Sequence, residues 1–230
     1  ILNAKKIVFA AGVLGNAQIM FRSIKEINKA EFYDHCAEII MAGKINNLFD
    51  HDILPNQDSK LGNIEKVYDN KSYLLASHYN LNNEDLNFFL NYITGLNFNI
   101  FKGIKIPFIN KIVNPIQVWT EKTCKLKINN QYFEYDEDYF KEKDENIDDF
   151  KKYISTKTKI FKSIKTKPGQ GFHYHNLNFE IDNKMYSISD VLKKKFENSA
   201  ICVDASILEK ISPRPLTLTA MAIAAVQKFL

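Results

Sequence analysis

A mixed α/β fold follows from three features of the chain. A strand pattern, a glycine turn and a helix-favouring run stand near the amino end. A strand, an acidic residue, a proline-framed loop and an apolar run stand at the carboxyl end. Between them, aromatic and polar residues alternate in short segments. Alternation of period two marks half-buried strands, whereas an apolar run of about ten residues marks a buried helix.

Residues 6–11 (KIVFAA) form a compact strand pattern that Gly12 and Gly15 break before the helix-favouring NAQIMFRSI. Glycines there let another backbone or a nucleotide approach closely, although strand, turn and helix recur throughout α/β proteins. A polar loop follows at 43–55, with Asp50, His51 and Asp52 in a row. Neighbours along a chain do not all face one site, so these three are expected to order the loop. Residues 62–115 read as antiparallel sheet with some helix. After Trp119, TCKLKI and QYFEY predict a hairpin turned at Asn129 and Asn130. The acidic stretch to Asp149 is expected to be a helix leading into a lysine-rich segment.

At the carboxyl end, Ile201, Cys202 and Val203 are a short β-favouring run ending at Asp204, where Ala205 and Ser206 take over. A charge at that position sits at a strand's carboxyl end, where open α/β sheets place ligands. Pro213 and Pro215 bar a regular helix, and Thr217 or Thr219 can cap the apolar run 220–230. The positive end of such a helix would stabilise negative charge on a bound ring or phosphate. Two readings stay open here: a cofactor seat, or an ordinary βα unit whose Asp caps a loop. A β-rich middle between two α/β-like ends is the pattern of a substrate domain inserted between halves of a cofactor domain. The expected segments are 1–60, 61–168 and 169–230.

The 230 residues, 45% hydrophobic and 13% aromatic, suffice for a sizeable core. Net charge is +4, and nine acidic residues between Glu134 and Asp149 precede seven lysines between Lys151 and Lys167. These runs offset each other or face solvent, which argues against nucleic acid as a partner. No apolar stretch reaches the roughly 18–20 residues of a membrane span. Cys36, Cys124 and Cys202 stand far apart without ligand spacing, so neither a disulfide framework nor a metal site is indicated, and a reducing, cytoplasmic location is expected. The first residues already read as the interior of a folded unit, so truncation at the amino end is expected.

His173 and His175 lie two residues apart among aromatics and after glycines. On a strand both rings face one side. Three roles fit: metal ligands, which lack the further ligands that zinc needs; a general base of near-neutral pKa beside a cofactor; or hydrogen-bonded core histidines.

Four stretches in one order, KKIVFAAGVLGNAQIM, INNLFDH, GFHYHNLNF and VDASILEKISPRPLTLTAMAIAA, together resemble the carboxyl-terminal half of the glucose-methanol-choline (GMC) flavin oxidoreductases. The first looks like that family's strand, Ala-Ala-Gly turn and helix beside the flavin nucleotide. The second, with Asn47, Leu48, Asp50 and His51, is similar to its Asn-Leu-x-Asp-His loop. The third resembles the segment bearing the active-site histidine, in a register that favours His173 over His175, and the fourth its Val-x-Asp-x-Ser segment, loop and final helix. Residues 62–166 carry hardly any of the resemblance.

The resemblance implies part of a Rossmann-like FAD-binding domain with an inserted β-rich substrate domain. It implies oxidation of a CH–OH donor such as a sugar-like alcohol, with His173, helped by His175, taking the hydroxyl proton while hydride passes to FAD. Ala11, Gly12, Asn16, Asp204, Ala205, Pro215 and Leu216 are the implied cofactor contacts. Two departures stand out. Arg214 occupies the second catalytic position, where many members carry Asn or His; an Arg there holds an alkoxide or reduced flavin, or is a surface substitution. The amino-terminal Gly-x-Gly-x-x-Gly unit is missing, so a separate amino-terminal FAD-binding segment or subunit is the implied partner. The alternative is a non-catalytic binding or accessory protein that retained the substrate domain of a flavoenzyme.

Overall fold

The computed structural model describes residues 4–43, 61–68, 71–79, 113–129, 132–135, 137–170, 173–197 and 199–213. Strand and helix are mixed, as the sequence pattern predicts. The INNLFDH loop and the apolar run 220–230 lie outside the described residues.

Two compact units emerge, one from Ile1–Cys36, Glu121–Glu142 and Lys167–Leu230, the other from Ala37–Thr120 and Lys143–Thr166. They do not follow three consecutive segments 1–60, 61–168 and 169–230. Long-range strand pairing is the reason, because it draws 121–142 to the first unit and 37–43 to the second.

In the first unit, β1 (Ile7–Phe9) lies parallel to β12 (Ala200–Cys202), with Ile7 opposite Ala200 and Phe9 opposite Cys202. Helix α1 (Gly12–Ser23) follows β1 at once and buries Val13, Asn16, Ala17 and Met20, a spacing that gathers them on one face. Gly12 opens it at φ +71°, and a Cβ on Gly15 would stand 2.9 Å from the Ala11 Cβ, so both positions require glycine.

The unit's main sheet is antiparallel, in the order β11 (Lys184–Ser187), β10 (Tyr174–Ile181), β2 (Lys29–Asp34), β7 (Cys124–Asn129) and β8 (Phe133–Tyr135). One face packs Ala30, Phe32, Leu126, Leu177 and Phe179 with residues of α1 and of α3 (Ile188–Phe196) into a single core. Ser187 caps α3 by accepting from the Asp190 amide at 3.2 Å and donating to its carboxylate at 2.7 Å. The expected hairpin is present as β7 and β8, with Asn129 Oδ1 accepting from the Tyr132 amide at 3.0 Å.

In the second unit, β4 (Leu61–Tyr68), β5 (Lys71–Tyr79), β6 (Val113–Thr120), β3 (Ala37–Gly43) and β9 (Ile160–Lys165) form an antiparallel sheet in that order. Helix α2 (Glu145–Ser155) lays Ile147, Phe150 and Ile154 on Ile40, Leu74, Ile116 and Val118. The acidic stretch is therefore helical only from Glu145. Before that, β8 takes the alternating Phe133–Tyr135, a 3-10 turn takes Glu137–Phe140, and Asp144 caps α2 by accepting from the Asn146 amide at 3.1 Å. Crowded like charges and period-two aromatics outweigh the helix preference of the acidic residues there.

Candidate functional site

The parallel pairing of β1 with β12 ends with the Val203 amide donating to the Phe9 carbonyl at 3.0 Å, which brings Asp204 to the start of α1. Asp204 Oδ2 accepts from the Gly12 amide at 2.8 Å and from Asn16 Nδ2 at 2.9 Å. Its Oδ1 accepts from the Ser206 amide at 2.9 Å, which makes Asp204 the cap of the 3-10 turn Ala205–Ile207. Fully buried Asn16 completes the network: its Oδ1 accepts from the Ala11 amide at 3.2 Å and its Nδ2 also donates to Ser206 Oγ at 2.9 Å. A carboxylate at a helix amino terminus, taking free amides, is favourable through both charge and hydrogen bonding. Cys202 lies beside it, its thiol pushed up to about 12, chiefly by burial.

Five of the sequence-derived cofactor positions, Ala11, Gly12, Asn16, Asp204 and Ala205, thus meet in one place. The loop-capping reading of Asp204 is realised, since both its oxygens are engaged by the protein. The turn itself stays open: Ala10, Ala11 and Gly12 are exposed, and nothing lies within 4 Å of a Cβ built on Gly12. With no side chain there larger than a methyl group, a flat ring or ribose can lie against this turn. Arg214, Pro215, Leu216, Thr217 and Thr219 lie outside the described residues.

The histidines occupy the opposite face of the main sheet from its core. Tyr33 pairs with His175 across β2 and β10, and their ring centres are 5.6 Å apart. One step further the His35 amide donates to the His173 carbonyl at 3.3 Å, and those rings are 5.9 Å apart. Register explains the arrangement. A β-bulge between His175 and Asn178 holds Asn176 at φ 55°, so Tyr174 and Leu177 both face the core, although they are three residues apart. His173 and His175 consequently share the other face with Tyr33 and His35, as strand geometry predicts for the pair.

Burial lowers the pKa of all three imidazoles. His35, wholly buried, falls to about 3, with the charges of His173 and His175 adding to the effect. His175 falls to about 4, and half-buried His173 is lowered by burial alone. Each is therefore neutral at pH 7, and burial makes His35 and His175 poor proton acceptors. His35 escaped sequence reading because it is a single histidine far from the pair; only the β2–β10 register reveals it.

The glycine before the histidines has a backbone role. Gly169 adopts φ +90°, donates its amide to buried Asp34 Oδ2 at 2.7 Å, and accepts from the Tyr174 hydroxyl at 2.5 Å. Cys36 and Cys124, distant in sequence, also meet beside Asp34. Hydrogen bonding between the thiols, then burial, holds the Cys36 pKa far above its ordinary value. All three cysteines are buried and none forms a disulfide. Among the described residues, no group of three or more His, Cys, Asp or Glu side chains is placed to hold a metal ion. No helix among them is long and apolar enough to cross a membrane.

No known protein family, curated protein or solved structure matches the chain.

Proposed function

We propose that the chain is the carboxyl-terminal portion of a GMC-type, FAD-dependent oxidoreductase acting on the CH–OH group of a small, sugar-like alcohol. One observation carries the reading: the Ala-Ala-Gly turn and the Val-x-Asp-x-Ser segment, at opposite ends of the sequence, are joined through Gly12, Asn16 and Asp204. When bound, FAD supplies the hydride acceptor. Ala11, Gly12, Asn16, Asp204 and Ala205 would shape the cofactor side, with Pro215 and Leu216 on the loop beyond. His173, neutral and the least buried of the three imidazoles, would accept the hydroxyl proton on a ring nitrogen as the substrate carbon gives up hydride. His175 would steady the strand beside His173 by packing on Tyr33 on the same face, and Arg214 would hold developing negative charge. The unit built from Ile1–Cys36, Glu121–Glu142 and Lys167–Leu230 would serve the cofactor and the other unit the substrate, in a reducing cytoplasm.

The two-stranded β1–β12 sheet leaves Ile7 and Val8 each 41% exposed, and parallel sheets are ordinarily covered. A polypeptide carrying the Gly-x-Gly-x-x-Gly strand, turn and helix is the partner this reading calls for. The alternative, a non-catalytic accessory protein, draws on the internal use of both Asp204 oxygens and both ends of the Asn16 amide.

Co-expression with such a partner separates the two. A yellow complex whose flavin absorbance bleaches on adding alcohol, and no longer does so in His173→Ala, is expected. A stable but colourless complex would sink the enzyme reading.

A further inference from the structure

On the same polar face as the histidines, but at the other end of β2, a cleft of about 340 Å³ opens between β10, β2, β7 and the β7–β8 turn. Its walls carry Lys29, Lys127, Glu31, Glu134 and Glu180, and its rim carries Tyr132. That volume lies within the range of small-molecule sites, about 300–1,000 Å³, whereas the lining is far more polar than such sites usually are.

The charges narrow the ligand. Lys29 stands 3.6 Å from Glu180 and Lys127 3.7 Å from Glu31, so the opposite charges are interleaved. Glu134 sits opposite Lys127 across the hairpin. An apolar ligand would bury charged groups without compensation. An anion would meet three carboxylates, and a cation would compete with two ammonium groups already in place. What remains is a neutral molecule rich in groups that both donate and accept. Tyr132, 55% exposed, offers a ring face, and its amide is tied to Asn129 Oδ1 at 3.0 Å, so the platform is fixed at its base.

We infer that this cleft binds a neutral polyhydroxyl ligand, a sugar of one or two rings, whose hydroxyls bridge the carboxylates and ammonium groups while one ring face lies on Tyr132. The site is separate from the histidines and does not depend on the proposed oxidoreductase activity.

Amide NMR of the full chain titrated with cellobiose, with spermidine and sulfate as charged counterparts, tests it. Cellobiose is expected to move the signals of Ala30, Asn129 and Tyr132, equally at low and high salt, because a neutral ligand has no charge to screen. Tyr132→Ala should weaken binding about tenfold, and Tyr132→Phe, which keeps the ring face, should stay within about twofold. Tyr132 is exposed, so neither variant endangers the fold. Failure of cellobiose to move these signals overturns the inference, as does a response to spermidine or sulfate alone that disappears in salt.

Discussion

His35 shows how one buried side chain couples stability to pH. Its ordinary value of 6.5 falls to about 3 in the folded chain, and that of His175 falls to about 4. Between those limits the unfolded chain binds protons that the folded chain refuses. The stability these groups contribute is complete above pH 6.5 and is lost as the pH falls toward the folded values. Each such group weakens the fold by up to about 1.4 kcal/mol per pH unit in that window. Urea titrations at neutral pH and at about pH 4.5 should show His35→Phe losing less stability than the parent chain. Equal losses would mean that His35 is free to protonate in the fold. The pair His173 and His175 was legible from its spacing, because strand geometry is local. Asp204 was legible as a charge at a strand end, but its bonds to Gly12 and Asn16 were not, since they depend on which strands become neighbours.

The bulge in β10 is the element that aims the histidines. Asn176 sits in the left-handed region at φ 55°, which Asn and Gly tolerate and β-branched residues do not. Asn176→Val should cost about 1–3 kcal/mol in chemical denaturation, and Asn176→Gly much less. Equal effects of the two would show that backbone conformation is not what the position selects. Elements built on local pattern were readable in advance: β1 and α1 around the glycine turn, and the hairpin at Asn129. The bulge was not, because an extra residue in a strand shows only against its partner's register. The late start of α2 was missed for a different reason, since the alternation of Phe133, Glu134 and Tyr135 competes with the helical preference of the acidic run.

At the scale of the whole molecule, the chain passes between its two units after residues 36, 120, 142 and 166. A fragment spanning 37–166 therefore contains the second unit together with β7 and β8, whose partner β2 it lacks. Hydrogen exchange on that fragment should find β3, β5 and β6 protected and residues 124–129 open, as Leu126 loses Phe32 and Phe179 as core neighbours. Protection throughout would show that the hairpin holds without the first unit. The interleaving could not be read from composition, because it depends on which distant strands become partners.

The parallel pairing of β1 with β12 also sets an order of events during synthesis. Residues 7–9 meet their partners only once residues 200–202 have been made. The second unit has all its strands by residue 165, so it can close while the apolar face of α1, with Val13, Ala17 and Met20, still waits for its covering. Residues 7–9 and the helix after them are thus made well before the strand that packs them. That interval is when a chaperone has the most to protect.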